Sequence, residues 1–298
     1  EILRVMADRN INDQLALNDV VRALNHKAGL LPDDLFWSPR KLWTPVAPLP
    51  LPSRVVMHHA NWCTGLEHKT RQLQEGQRIH HLNRGMERHG SDYGGKWLKT
   101  DSIHDESVIY SIGVGEDITF ERSITNRYGV EIHAFDPTPR AIDYVKAEVS
   151  ENERLHFHPY AIIGGDEDPI PFFLPKNPEH VSCSVSEIGG REIRVPAKQL
   201  DRAMEVLGHN AIDLIKMDIE GAEYDLIQNM LTGSPQILPK QLLVEFHDKL
   251  HPDFSGRSES TISSLLENGY RLAHAEENDT NCYRIFHGTV EGINGLNI

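Results

Sequence analysis

Cross-links are the first thing this chain lacks. Its three cysteines, Cys63, Cys183 and Cys282, are an odd and widely spaced set that defines neither a disulfide framework nor a zinc site. Positive charge is scarce too. Lys plus Arg number 30 against 44 Asp plus Glu, a net charge of −14, which argues against a broad grip on nucleic acid or anionic lipid. A nucleic-acid partner is therefore not expected. No stretch approaches the ~18 consecutive apolar residues that a membrane-crossing helix needs, so no transmembrane segment is read in this chain. The chain begins at Glu1 without an initiator Met or a signal sequence, which reads as a trimmed N-terminus. The compartment stays open between cytoplasm and, where an N-terminal anchor was removed, the Golgi lumen. Histidine is plentiful at 17 residues, yet pairs such as His80 and His81 lack the partners a metal site needs.

The strongest positive signal is the stretch 108–140, VIYSIGVGEDITFERSITNRYGVEIHAFDPTPR. It reads as an apolar strand, a Gly-x-Gly turn, a helix-length segment and a second apolar strand ending on Asp136, the start of a nucleotide-binding βαβ unit. Gly113 and Gly115 let the backbone turn sharply and approach a ligand with no Cβ in the way. Asp136 stands where a carboxylate accepts ribose hydroxyls. The third glycine of a dinucleotide fingerprint is missing, because Ile118 occupies its place. Glu116 and Asp117 then put two carboxylates at the helix start, which suits the helix dipole but repels phosphate. S-adenosylmethionine, with an adenosine, a cationic sulfonium and no phosphate, suits this string better than NAD.

Proline-rich residues 43–54 cannot form a regular helix or a central strand, so they separate an N-terminal piece from the rest. Helical spacing is read over 10–27, a short strand in 54–62 and a long polar helix broken by glycines over 64–90. From about residue 100, strands alternate with helices, the signature of a doubly wound α/β sheet. Strands are expected at 108–112, 131–135, 155–162, 212–217 and 241–246. Helices are expected at 117–128, 138–149, 198–207, 221–231 and 258–268, followed by an antiparallel pair in 269–278 and 281–288. The expected fold is α/β and resembles the class I methyltransferase arrangement: a Rossmann-like seven-stranded sheet, helices on both faces, and an N-terminal helical or extended appendage.

Two strand ends are rich in acid. In IDLIKMDIEGAEYDLI a buried-looking strand stops at Asp218, with Glu220, Gly221 and Glu223 directly after it. Ligands of open α/β sheets bind beyond the carboxyl ends of the strands, so these acids point at the site. Capping of the next helix is the alternative for Glu220 and Glu223. LLVEFHD likewise ends on Glu245 and His247, which share a face because strand side chains alternate. His247 reads as a general base poised near neutral pH, oriented or raised in pKa by a carboxylate.

In this order and spacing, SIGVGEDITFE, AFDPTP, VPAKQLD, DLIKMDIEGAEYDLI and LLVEFH resemble the FkbM-type methyltransferases, nearest their eukaryotic methyltransferase-like branch. The resemblance covers roughly residues 100–290. It implies a class I fold, S-adenosylmethionine as donor and methyl transfer to oxygen, often on a carbohydrate, polyketide or lipid-linked acceptor. It implies that Gly113, Val114 and Gly115 line the methionine part, that Asp136 and Thr138 take the ribose, and that Tyr160 and Ala161 lie near the adenine. The acid that usually opens the Gly-x-Gly motif is Ser111 here, and Glu116 is the candidate for its carboxylate role near the donor's amino group. Asp218 and Glu220 would sit beside the transferred methyl, with His247 as base. Asp218, Glu220 and Glu245 are alternative bases, or oxygen ligands for a Mg²⁺-type ion.

Residues 12–73 resemble the tail of GT-A nucleotide-sugar glycosyltransferases, without the Asp-x-Asp pair of that family upstream and with His59 as its third metal ligand. The resulting domain reading is 1–75 glycosyltransferase-tail-like, 76–99 connecting helix or linker, and 100–298 methyltransferase. Adjacency of the two modules points to a small-molecule or glycan acceptor. A noncatalytic glycan-binding or scaffold module is the alternative, favoured by Ser111 and by the incomplete N-terminal module. The sequence sets no oligomeric state.

Overall fold

The computed structural model describes residues 85–149, 154–174, 191–277 and 282–287, with Thr70 and the parallel strand pair Phe36–Trp37 and Met57–His58. Met57–His58 falls inside the strand read at 54–62. The helix over 10–27, the proline-rich linker, His59, Cys63, His80, His81 and Cys183 lie outside the described residues.

Mostly apolar runs become the buried parallel strands of the sheet centre, as expected when both faces are covered, while the edge strand Leu155–His158, LHFH, is only partly buried. The parallel strands are β3 (Ile109–Ile112), β4 (Ile132–Phe135), β5 (Leu155–His158), β10 (Leu214–Met217) and β11 (Gln241–Phe246). β12 (Arg271–Glu277) and β13 (Cys282–His287) complete the sheet in the order β12-β13-β11-β10-β3-β4-β5. β13 runs antiparallel to both its neighbours. This seven-stranded order is the class I arrangement expected from the sequence. The chain leaves β3 for β4 on one side and reaches β10 on the other, so the topological switch point lies between β3 and β10.

Side-chain alternation along β3 sorts the core into two layers. Tyr110 and Ile112 pack with Ile215 and Met217 against α3 (Leu200–Leu207), α4 (Glu223–Thr232) and α5 (Arg257–Glu267). Ile109 and Leu214 pack on the other face with Phe120 and Ile124 of α1 (Thr119–Tyr128) and Val145 of α2 (Pro139–Glu148). Helix ends follow local chemistry. Gly129 closes α1 in the left-handed conformation (φ 68°), and Pro139 opens α2 after the N-cap Thr138, whose side chain accepts from the Ala141 N–H.

Two expectations need correction. The strand read over 155–162 is broken, because Pro159 has no N–H to give the ladder. β5 stops at His158, and β6 (Ala161–Ile163) leaves to pair in parallel with β9 (Ala197–Gln199). The helix read over 64–90 does not extend through its C-terminal part: β1 (Met86–His89) pairs antiparallel with β2 (Lys96–Lys99). Leu98 of this hairpin is fully buried in the α1-side core, and the Gln241 side chain bonds both the N–H and the C=O of Lys99. Residues 86–99 are therefore packed onto the methyltransferase sheet and do more than connect. A second hairpin, β7 (Ile170–Phe173) with β8 (Glu192–Val195), stands beside β6.

Histidines collect at the β4–β5 edge. His133 stacks between His156 and His158, with ring centroids 5.1 and 5.3 Å away, and meets His209 edge-on at 4.8 Å. The His209 ring bonds the Tyr110 hydroxyl at 2.8 Å, and His156 faces Glu131. Burial, then the neighbouring histidine charges, hold the His133 imidazole down to about 3; burial, then His156, hold His158 down to about 4. In the unfolded chain both titrate near 6.5. The unfolded chain therefore binds more protons in acid. The contribution of these groups is complete above pH 6.5 and is lost as pH falls toward 3–4. Denaturant titrations from pH 7 to pH 4 are expected to show stability falling by at most about 1.4 kcal/mol per pH unit for each of the two histidines. His133→Gln is expected to flatten that slope, and an unchanged slope would remove the cluster as its source.

Candidate functional site

The carboxyl ends of β3, β4 and β10 finish level. Ile112 is in register with both Phe135 and Met217. The next residues, Gly113, Asp136 and Asp218, extend the ladder by one hydrogen bond each: Gly113 N to Phe135 O, Asp136 N to His158 O and Asp218 N to Ile112 O. A cavity of about 360 Å³ opens directly above them.

Gly113 has φ +79°, and a Cβ there would lie 1.9 Å from the Asp218 carbonyl oxygen. Gly115 has φ +55° with nothing within 4 Å of its Cβ position, so its bare backbone faces open space at the cavity. Asp136 clamps this turn to the next helix. Its Oδ2 accepts the Gly115 N–H at 2.9 Å, and its Oδ1 accepts the Thr138 N–H at 2.9 Å and hydroxyl at 2.7 Å. A carboxylate has about four lone-pair directions, so these three bonds leave room for a ligand hydroxyl. Phe135, Ile162 and Phe172 supply an apolar wall, and Glu116 reaches the cavity while bonded to Arg140 at 2.6 Å. Glu116, Asp136, Asp218 and Glu220 border this apolar wall, and Arg140, the guanidinium among the described lining residues, is bonded to Glu116. That chemistry fits S-adenosylmethionine, which is cationic at sulfur and carries no phosphate.

The expected residues divide. Gly113, Gly115, Glu116, Asp136, Thr138, Ala161, Asp218 and Glu220 all line the cavity. Val114 is buried in the α1-side core and contributes to the turn through its backbone. Tyr160 is not among the lining residues: its ring packs on Phe135 and His158, with the Lys198 ammonium 5.1 Å above it. Ser111 is fully buried and faces α1, where its hydroxyl donates to Glu121 Oε1 at 2.5 Å. It touches the cofactor cavity only through a network. Lys216, buried in the middle of β10, donates to Gly113 O at 3.3 Å, to Glu121 Oε1 at 3.3 Å and to Ser111 Oγ at 3.4 Å. The network ties the glycine turn to α1 from behind. Its sequence signal was the lysine inside the apolar run DLIKM, since a buried ammonium requires a carboxylate partner.

The second cluster gathers at the ends of β10 and β11. The ring of His247, 1% exposed, has Nδ1 3.1 Å from Glu223 Oε1, and Nε2 3.6 Å from Asp218 Oδ1 and 3.5 Å from Glu220 Oε2. Burial lowers this imidazole's pKa, but the Glu223 hydrogen bond and the charges of Glu223, Asp218 and Glu220 outweigh it and raise it to about 9. His247 is therefore charged at neutral pH and stands behind the two carboxylates, outside the cavity lining. The carboxylates raise its pKa as the sequence reading allowed, but to a value well above neutrality, so the expectation of a base poised near neutral pH is corrected. Burial, then the charge of Glu245, raises the Asp218 carboxyl.

Glu223 does more than cap α4. Fully buried, it accepts the backbone N–H of Gly221 at 2.8 Å and of His247 at 3.0 Å as well as facing the imidazole. Glu245 is drawn away: Lys96 of the β1–β2 hairpin lies 2.5 Å from Glu245 Oε2 and 4.0 Å from Asp218 Oδ2. An all-oxygen Mg²⁺ set of Asp218, Glu220 and Glu245 is not what the structure assembles. Among the described residues, the grouped ligand atoms are those of Asp218, Glu220 and His247. The hairpin also brings Tyr93, 81% exposed, to the cavity mouth. Its turn is pinned on the start of α1 by Ser91, which donates to Asp117 Oδ2 at 2.6 Å. Nothing in residues 86–99 announced this role, because it depends on a long-range contact.

The two glycines should separate in a mutational test. Gly115→Ala meets only the left-handed backbone cost, about 1–2 kcal/mol. Gly113→Ala adds overlap with the Asp218 backbone, so its total is expected at about 2–5 kcal/mol. Urea unfolding of the two variants measures the difference, and equal losses would show that β3 and β10 yield at this contact.

The sequence profile described as "Methyltransferase FkbM domain" matches residues 107–272. Human "Probable methyltransferase-like protein 24" is 29% identical over 181 residues, covering 60% of this chain and 42% of that protein. The rat protein of the same description is 30% identical with the same coverage. The chain thus spans about two fifths of the length of these curated relatives. The antimetabolite synthetase AmbE of Pseudomonas aeruginosa is 25% identical over 150 residues, 45% of this chain and 7% of that protein. Among solved structures, the Methanococcus jannaschii fibrillarin pre-rRNA processing protein aligns at 11% identity and TM-score 0.40, over 64% of this chain and 70% of that one. Aeropyrum pernix fibrillarin, in complex with natively bound S-adenosyl-L-methionine, aligns at 10% identity and TM-score 0.36, over 63% and 69%. Likeness at these scores carries no inference, and the fold rests on the strand order above. With more than half of its length matched by the family profile, the chain belongs to the FkbM methyltransferase family.

Proposed function

We propose that this chain is an S-adenosylmethionine-dependent methyltransferase that methylates a hydroxyl oxygen of a carbohydrate or a related natural-product acceptor. The observation that carries the reading is the cavity at the switch point, where the open backbone of Gly115 and the Asp136 carboxylate meet the apolar wall. When bound, S-adenosylmethionine supplies the methyl group and retains the C–S bonding electrons on sulfur as the C–O bond forms.

The chain's own residues position and deprotonate. Asp136 holds the glycine turn and offers its remaining lone pair to a ribose hydroxyl. Lys216, by bonding the Gly113 carbonyl from behind, keeps that turn from relaxing into the cavity. Asp218 and Glu220 border the same cavity and stand where an acceptor hydroxyl enters, so the hydroxyl proton passes to the Asp218 carboxylate. Alignment of acceptor and donor supplies most of the acceleration in such a displacement. Tyr93 at the mouth presents an aromatic face with a polar tip, a surface suited to the apolar face of a sugar ring. A glycan acceptor is supported further by the glycosyltransferase-like character of residues 12–73.

Calorimetric titration with S-adenosylmethionine and S-adenosylhomocysteine tests the donor half. Binding is expected, weakened by at least about tenfold in Asp136→Ala, the loss of about 1.4 kcal/mol. Absence of binding to either ligand in the folded wild type would overturn the reading. For the acceptor half, Tyr93→Ala is expected to raise the acceptor KM several-fold while leaving S-adenosylhomocysteine affinity unchanged. An unchanged KM would remove Tyr93 from the acceptor site.

A further inference from the structure

We propose that Asp218, Glu220 and His247 form a binding site for one divalent cation with affinity for nitrogen, of the Mn²⁺, Fe²⁺ or Zn²⁺ type. The role given to it below rests on the methyltransferase reading above; the site itself does not.

The ligands come from adjacent strands held in register. Met217 of β10 pairs with Val244 of β11, so Asp218 directly follows one strand end and His247 the neighbouring one. One ligand atom from each of the three residues lies within 4.8 Å of the others. A cation bonded at about 2.1 Å to two ligands separates them by about 3.0–3.4 Å. The observed separations from Nε2, 3.5 Å to Glu220 and 3.6 Å to Asp218, need close by only a small fraction of an ångström to about half of one.

Independent of the carboxylates, the imidazole is prepared as a ligand. Nε2 is buried, aimed between the two acids, and has no hydrogen-bond partner. The two carboxylates attract it by charge from 3.5 and 3.6 Å without closing a good hydrogen bond, which leaves a position between the three groups for a more closely bonded cation. On the opposite side of the ring, Nδ1 donates to Glu223, so a cation that displaces the Nε2 proton meets a lone pair facing Asp218 and Glu220. A carboxylate behind a histidine is the outer-shell arrangement that orients metal-binding imidazoles. Glu223 is itself immobilised by two backbone N–H groups, so the ring is held before any ion arrives.

The backbone of Glu220 gives a third observation. Its φ of 51° is the one positive value among the described non-glycine residues. Such a conformation costs of the order of 1–3 kcal/mol and persists where the surroundings enforce it. They do so here: at Gly221 a Cβ would lie 2.2 Å from the Phe254 ring, so the turn cannot shift toward that ring. The result is that the Glu220 carboxylate is turned back onto His247.

Charge and ligand type define the ion. Asp218, Glu220, Glu223 and Glu245 converge here on the cations Lys96 and His247, and Lys96 is committed to Glu245 at 2.5 Å. One nitrogen and two oxygens suit a borderline transition ion better than Mg²⁺ or Ca²⁺, which prefer oxygen alone. Asp218, one-third exposed, and Glu220 both line the cavity, so further coordination positions would open toward the acceptor. There the cation would take the acceptor hydroxyl oxygen and favour loss of its proton to the outer oxygen of Asp218.

Mn²⁺ alone is the probe. Chelator-treated protein is titrated with Mn²⁺ at neutral pH and free Mn²⁺ is counted by its electron paramagnetic resonance signal. One bound ion per chain is expected, with affinity reduced at least about tenfold in Asp218→Asn and in Glu220→Gln. Nitrogen modulation in the electron spin-echo of bound Mn²⁺ is expected in the wild type and lost in His247→Gln. If His247→Gln fails to fold, the two carboxylate variants, at partly exposed positions, decide the question. No binding up to about 1 mM, or binding indifferent to both carboxylate variants, overturns the site and leaves a protonated His247 and Lys96 as the balance for these acids. S-adenosylhomocysteine is titrated separately without metal: its binding in the absence of Mn²⁺ binding removes the cation and keeps the methyltransferase, whereas loss of its binding removes the function proposed above.

Discussion

Gly113 lies so close to the carbonyl of Asp218 that no side chain fits between them. The contact joins the ends of β3 and β10 at the point where the chain reverses its direction across the sheet. Because both strands finish level there, the glycine turn after β3 and the acids after β10 border one cavity. Move either strand by one residue and the side chains would exchange faces, sending Ser111 and Lys216 into the wrong layer. Register, glycine and cavity are thus one constraint expressed three times.

Buried charge reinforces that constraint from both sides. Behind the turn, Lys216 spans from Glu121 on α1 to the Gly113 carbonyl, so a helix, a strand and a loop share one ammonium. In front of it, Lys96 reaches across from the β1–β2 hairpin to Glu245 and toward Asp218. Burying such groups is costly unless every one is paired, and the pairing fixes geometry more than it adds stability. The hairpin consequently belongs to the site as well as to the fold, although its residues precede the recognised family motifs.

The βαβ start was legible because its signals are local. Gly113, Gly115 and Asp136 announce their roles by residue type and spacing, and the cavity lies where those three residues meet. The acids of DIEGAE were legible as a group for the same reason. Their individual roles were not. Glu223 reads as a helix cap from its position in the first turn, and in the fold it becomes the buried partner of an imidazole 24 residues away. His247 reads as a base poised near neutral pH beside a carboxylate, and three carboxylates raise its pKa to about 9. Glu245 reads as a third acid for a metal, and a lysine 149 residues distant claims it.

By itself the sequence determined the order of the elements, the place of the glycine turn and the family, because these depend on apolar periodicity, glycine conformation and motif spacing within short windows. Only the tertiary structure decided which acids face the cavity and which are neutralised, that Ser111 and Tyr160 pack away from it, and that residues 86–99 complete it. Those outcomes depend on Coulomb energies and burial, which are set by distances between side chains that lie far apart along the chain.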